Sequence, residues 1–331
     1  MSSRSLLVAL LAGLAAVPPA PAFSQSTFPV TLRILTYNLG LLRVLGSDLV
    51  PLVQARARLA PSAIADFARE SRPDIMLFEE VWNDRDADAI AREVAPLGYS
   101  AIQPRIHSML GLNSGLLLLV RAPLHVVDWK FTPFARTTFT DSFARKGVLE
   151  ATVEEREAGL RLALVGTHTL AVDTDHGLPR DRGQVAAIEA QVAQILTVLR
   201  ERSLGGAMPA ILLGDFNVGP GYADSVYRRI AEADGLTEAG ASPSPESPLI
   251  TWDPSNPLVK FGKYPNEPPA KIDHVFLSGG DTHAWKVETA QRVFTDPLAG
   301  LAIENPGAMS VPAPLSDHYG FLVEATLVPR E

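Results

Sequence analysis

Six short segments carry side chains suited to hydrolytic chemistry, and five of them follow directly on an apolar run. These five are Tyr37-Asn38, Glu79-Glu80-Val81-Trp82, Gly166-Thr167-His168, Gly214-Asp215-Phe216-Asn217 and Ser316-Asp317-His318, while Lys271-Ile272-Asp273-His274 opens a run instead. Carboxylate and amide oxygens are hard ligands for Mg2+, Mn2+ or Ca2+. A cation held by one or two carboxylates and by substrate phosphate oxygens neutralises phosphate charge as it develops. An imidazole backed by a carboxylate can take the proton of an attacking water. Asp215 and Asn217 are two residues apart, so in an extended segment they point to one side. The set predicts a metal-assisted phosphoester hydrolase. The chain has no cysteine, which removes thiolate ligands, cysteine nucleophiles and disulfides at once.

For these groups to meet, the runs before them must be strands that end at one edge. Residues 31–37 alternate and are rich in β-formers, giving a strand that ends at Asn38; residues 74–78 read as a buried strand after Pro73. Residues 115–120 and 124–131 read as strands around the turn Arg121-Ala122-Pro123, and 148–153 with 160–165 as a hairpin with a polar tip. Further strands are expected over 210–213, 272–277 and 320–327. Helices are expected over 61–70, with Pro61 in the first turn, over 84–94, and over 184–199. In the last, Val185, Ile188, Val192, Ile195, Leu196 and Leu199 share one face. Strands outnumber helices without regular alternation. The fold class is therefore mixed α/β (α+β), with sheets packed face to face and helices outside. Residues 239–269 and 296–315 read as long surface loops, a kind that often serves function.

Arg4, the apolar run 6–17, Pro18, Pro19 and Ala20-Pro21-Ala22 have the layout of a secretory signal peptide cleaved after Ala22. The run falls short of the about 20 residues of a membrane span. A periplasmic or secreted protein is expected, with residues 23–331 as one catalytic domain. Of 331 residues, 47% are hydrophobic and 20% charged, enough for a core and against disorder. Twenty-nine Lys and Arg against 37 Asp and Glu give a net charge of −8. That balance, with no basic run, speaks against a nucleic-acid partner.

The order Asn, Glu, His, Gly-Asp-x-Asn, Asp and Ser-Asp-His resembles the endonuclease/exonuclease/phosphatase superfamily across nearly all of residues 31–327. Within it, Ile34-Leu35-Thr36-Tyr37-Asn38, Gly166-Thr167-His168-Thr169-Leu170-Ala171, Thr251-Trp252-Asp253-Pro254-Ser255-Asn256 and Ala270-Lys271-Ile272-Asp273 are similar to segments of bacterial sphingomyelinases. This resemblance implies a four-layer αββα sandwich of two mainly antiparallel sheets. It implies a phospholipase C that cleaves sphingomyelin to ceramide and phosphocholine with Mg2+, for which Mn2+ or Co2+ could substitute. The implied partner is a phospholipid at a membrane surface, with no stable protein partner.

The same resemblance implies the roles. His318 is the general base and Asp273 orients it; His168 stabilises a phosphate oxygen; Asp215 and Asn217 orient water and phosphate; Asp317 lies near the metal or the water. Glu80 binds the metal with support from Asn38, and Trp252 and Asn256 meet the substrate. Glu79 departs from the family, which has Gln or Asn there. A second departure is in residues 296–315. The family carries an aromatic, membrane-entering hairpin here, whereas this chain has no Phe, Trp or Tyr but does have Leu298, Leu301, Ile303, Met309 and Val311. Another phosphodiesterase of the superfamily, such as a secreted nuclease, and a non-catalytic binding module on the same fold remain as alternatives. His107, His125, His176 and His283 sit in no motif, and His274 is read as packing.

Overall fold

The computed structural model describes residues 27–44, 47–48, 50–138, 144–241, 249–304 and 309–330. The expected signal peptide, residues 1–22, lies outside them. The apolar runs become strands because both of their faces are covered. In β1 (Val30–Asn38), Ile34 joins one apolar cluster and Leu35 another. This is how a sheet reads when neither side meets water. The other strands are β2 (Ile75–Glu79), β3 (Tyr99–Ile102), β4 (Leu117–Arg121), β5 (His125–Pro133), β6 (Gly147–Glu155), β7 (Leu160–His168), β8 (Ala210–Asp215), β9 (Thr237–Glu238), β10 (Asp273–Ser278), β11 (His283–Val293) and β12 (Gly320–Pro329).

They form two mixed six-stranded sheets, ordered β11-β12-β1-β2-β4-β3 and β9-β10-β8-β7-β6-β5. Between the sheets lie Ile34, Leu77, Leu118, Leu149, Leu164 and Leu213. Helices α1 (Val53–Ser71) and α2 (Asp84–Val94) cover the first sheet through Ala60, Ile64, Ala68 and Ile90. Helices α3 (Arg182–Arg202) and α4 (Asp224–Ala231) cover the second through Ile188, Val192, Ile195, Val226 and Ile230. The four-layer αββα sandwich is present as expected. No helix among the described residues is long and apolar enough to cross a membrane.

Several features differ from the sequence expectation. Helix α1 starts at Val53, so Pro61 lies in its interior rather than in a first turn. Its early buried residues are Val53, Arg56, Ala57 and Ala60, a face too short in side chain to register as an apolar stripe. The turn 121–123 does not close a hairpin, because β4 and β5 belong to different sheets. Residues 249–270 are not a plain surface loop. Thr251, Trp252 and Asn256 are buried, and a short helix, α5 (Pro257–Lys260), follows. Within 296–315, Ala302–Ile303 pairs with Val311–Pro312, and Leu301, Ile303 and Ala313 pack with Leu258 of α5.

Candidate active site

Strand register assembles the site. In the first sheet β1 and β2 run parallel with Asn38 level with Glu79, so Glu80 emerges just past the strand. In the second, Asp215 is level with His168 on parallel β7 and with Asp273 on antiparallel β10. The Asn38 amide joins the two sheets, donating to Asp215 Oδ2 at 2.8 Å and to Glu80 Oε1 at 3.3 Å. Its oxygen accepts the Gly40 N–H at 2.9 Å, which fixes the orientation of the amide. Gly40 itself makes room for the neighbouring acid, since a Cβ there would come within 2.4 Å of Asp317 Oδ1.

Asn217 does not continue an extended strand beside Asp215. Its φ is 51°, and its N–H donates to Asp215 Oδ1 at 2.8 Å, so a tight turn brings the pair together. Glu80 also has a positive φ, 59°. Non-glycine residues held in this region cost of order 1–3 kcal/mol and concentrate at functional sites.

The imidazoles take opposite states. His318 Nδ1 lies 2.9 Å from Asp273 Oδ2, which fixes the proton there and turns Nε2 toward the cavity and Asp215 Oδ2, 4.0 Å away. Burial opposes its protonation, but Asp273, Asp215 and Asp317 outweigh burial and raise its pKa well above the usual imidazole value. His168 is held well below that value by burial and by the charges of Lys146 and His318. Its neutral ring faces Lys146, whose Nζ is 3.1 Å from His168 Nε2 and donates to Thr169 O at 2.8 Å.

The carboxylates are crowded. Burial raises Asp215 to about 7, with the Asp273 charge adding to it, and burial followed by Asp317 raises Glu80. Burial and Asp273 hold Glu79 well above the carboxylate range despite the 2.7 Å hydrogen bond from Thr36 Oγ1. The neutral acid is thereby favoured at Glu79, a group that resembles the amide it replaces. Buried oxygen donors that repel one another are the chemistry of a hard divalent cation site. Asp215, Asp273 and His318 place ligand atoms within 4.8 Å of one another. Asp273 and His318 already bind each other, which leaves Glu80, Asp215 and Asp317 as the carboxylates outside that ion pair that line the cavity.

These groups sit in a cavity of about 680 Å³, which Glu80, His168, Asp215, Asn217, Asp317, His318 and Trp252 help to line. Trp252 pairs through its backbone with both Ala270 and His318, so this one residue ties the segment leading to Asp273 to the loop that carries His318. Asn256 is absent from the cavity wall. Its amide donates to Ser316 O at 2.9 Å and Asp317 O at 3.2 Å, and its oxygen caps α5 at Leu258 N. Asn256 therefore holds the Ser-Asp-His loop from outside the cavity lining. Asn256→Ala is expected to lower unfolding free energy by about 2 kcal/mol in denaturant titration, through the lost cap and buried hydrogen bonds.

Sequence reasoning missed two residues. Lys146 lines the cavity; its one sequence signal is a basic residue immediately before a strand, as at Lys271. Arg56 is fully buried in α1 and donates to Leu39 O, Gly40 O and Leu315 O at 2.7, 2.6 and 3.3 Å, tying the loops that carry Asn38 and Asp317. His274 is packed as expected, stacked on Tyr227 and Phe276. It also faces Glu238 at 2.6 Å and Val218 O at 2.8 Å.

The sequence profile of the Endonuclease/Exonuclease/phosphatase family matches residues 35–318, from β1 to His318. The chain belongs to that family. Among solved structures, sphingomyelinase C from Streptomyces griseocarneus is similar at 19% identity and a TM-score of 0.67, covering 89% of this chain and 99% of its own. SmcL is similar at 18% identity and 0.65, over 90% and 99%. Truncated TDP2 of Caenorhabditis elegans follows at 18% and 0.63, over 90% and 98%. At these identities the likeness establishes the fold shared within the family. No curated protein matches the sequence significantly.

Proposed function

We propose that this member of the endonuclease/exonuclease/phosphatase family is an exported, sphingomyelinase-like phospholipase C. It hydrolyses sphingomyelin, or a related phospholipid, to ceramide and phosphocholine. One observation carries the reading. The proposed catalytic groups lie in a cavity whose walls are largely apolar, with Leu42, Leu110, Leu112, Leu170, Val172 and Val259 among them, and whose only lysines among the described residues are Lys146 and Lys263. Lipid chains suit such walls; a polynucleotide would call for a basic track along the backbone. The sphingomyelinases among the similar structures agree with this reading, while TDP2 of Danio rerio, crystallised with a single-strand DNA product, marks the competing one.

In this mechanism a water attacks phosphorus in line with the leaving alkoxide. His318 Nε2 takes the proton of that water and later releases it to solvent, and the departing alkoxide becomes the ceramide hydroxyl by taking a proton from solvent. The Nδ1–H bond to Asp273 holds the tautomer that leaves Nε2 available. Lys146, beside neutral His168, stabilises the non-bridging phosphate oxygens. Asn217 and Asp215 orient water and phosphate from their shared turn. Glu80, supported by Asn38, would hold Mg2+, or Mn2+ or Co2+ in its place, which supplies Lewis-acid stabilisation of the phosphate charge.

The deciding experiment is a panel with Mg2+ containing sphingomyelin, phosphatidylcholine, lysophospholipids, plasmid DNA and a chromogenic phosphodiester. Release of phosphocholine from sphingomyelin is expected; cleavage of DNA without cleavage of any lipid would overturn the reading. In the same assay Lys146→Met should lower kcat/KM by about 10²-fold, the cost of losing one oxyanion donor.

A further inference from the structure

Within residues 296–315 most of the described aliphatic side chains pack inward, while Met309 stays exposed. Leu301 and Ile303 are buried, and with partly buried Leu298 they pack against Leu258, Val50 and Leu52. Large apolar side chains are also exposed on two loops that themselves reach the cavity wall. In the first, the turn closed by Gly111 N–H to Ser108 O at 3.0 Å puts Met109 and Leu110 at its tip. Met109 is fully exposed, and Leu110 reaches the cavity wall. In the second, α5 runs into Lys260-Phe261-Gly262-Lys263-Tyr264, where Phe261 is 40% and Tyr264 48% exposed. Gly262, Lys263 and Tyr264 line the same cavity.

We infer that these two loops form a docking surface for a phospholipid–water interface, so that the cavity opens against the bilayer. Met109 and Phe261 enter the boundary between headgroups and chains, and Lys260 and Lys263 meet lipid phosphates. The charge pattern favours this occupant. Neither lysine has a carboxylate partner among the described residues, and their ammonium groups lie 5.9 Å from the Phe261 ring centroid and 5.2 Å from the Tyr264 centroid. Aromatic rings interleaved with lysines suit this boundary, where Phe261 is wholly apolar while Tyr264 and the lysines keep one end apolar and the other wet. Basic residues near an anionic surface add to binding independently of the rings. The inference rests on the lipid reading of the active site and locates the surface through which that site reaches its substrate.

The test compares the wild-type protein with the double variant M109S/F261S. Both side chains lie outside the cavity lining, and a Trp129→Ser variant, altered at an exposed ring on β5, serves as the control. Co-sedimentation with vesicles of sphingomyelin and phosphatidylglycerol is read alongside turnover of soluble bis(p-nitrophenyl) phosphate. The double variant should bind vesicles about tenfold more weakly, with turnover of the soluble diester within about twofold of wild type. Trp129→Ser should bind as wild type does. Wild-type protein that stays in the supernatant, or a double variant that sediments equally well, overturns the docking surface. The same holds if the substitutions dissociate a dimer without changing vesicle binding, which would assign the face to a second copy of the chain. Wild-type failure on every lipid in the substrate panel, with the soluble diester still cleaved, instead overturns the lipid reading and takes the docking surface with it.

Discussion

His318→Ala is expected to lower turnover by about 10³-fold or more, in the range seen when a positioned general base is removed. The geometry gives the reason. His318 has one nitrogen committed to Asp273 and the other turned into the cavity, so the side chain has one site to offer a proton. Asp273, which orients it, and the nearby carboxylates Asp215 and Asp317 raise its pKa well above the usual imidazole value and so favour the protonated ring. Asp215 and Asp317 line the cavity, and a divalent cation between them would withdraw part of the field that favours imidazolium. Rate should therefore rise with pH as His318 becomes neutral, and the rising limb should move to lower pH as Mg2+ is raised from limiting to saturating. Removing the ring leaves Asp273 buried without its partner, a change that can unfold a marginal protein. His318→Gln keeps an amide donor for Asp273 and removes the base. It should fold as wild type does by circular dichroism while losing a similar factor in rate. More than a few per cent of wild-type activity in either folded variant would remove His318 from the base role.

Much of this arrangement is legible in sequence because the chain writes most of the proposed catalytic groups at the end of an apolar run, with Asp273 at the start of one. Once β1, β2, β7 and β8 are strands, Asn38, Glu80, His168 and Asp215 come to one edge by register alone. What stays hidden depends on partners far away in the chain. Asn256 reads like a substrate residue because it closes a family-like motif, yet its amide is used up on Ser316 and Asp317, sixty positions on. Lys146 looks like an ordinary basic residue until β6 pairs with β7 and places it beside His168. The edge strand β11 escapes a search for apolar runs because most of its residues face water. Helix α1 is missed in its first half because Ala and a fully buried Arg56 supply the packed face.

Glu80→Gln should have the second largest effect, and two readouts should move in opposite directions. Turnover should fall by about 10³-fold at fixed Mg2+, with higher Mg2+ recovering part of the loss, because the substitution takes one anionic oxygen from the cation site. Treatment of the wild type with EDTA should likewise abolish turnover, and added Mg2+ should restore it. Stability without cation should change the other way. Burial and the Asp317 charge raise the proton affinity of Glu80, so its ionised form is disfavoured in the folded protein. A carboxyl raised in this way weakens the fold once pH exceeds its ordinary value, and the penalty is greatest when the folded group is ionised. An uncharged isostere removes that penalty, so apo Glu80→Gln should unfold at higher denaturant than apo wild type near neutral pH, by about 1 kcal/mol. The gain should vanish at pH 4, where both forms are neutral, and saturating Mg2+ should reverse the order because only the wild type gains full binding energy. A variant that is less stable than wild type without cation, or that keeps the wild-type Mg2+ dependence, would show that Glu80 is not part of a strained cation site.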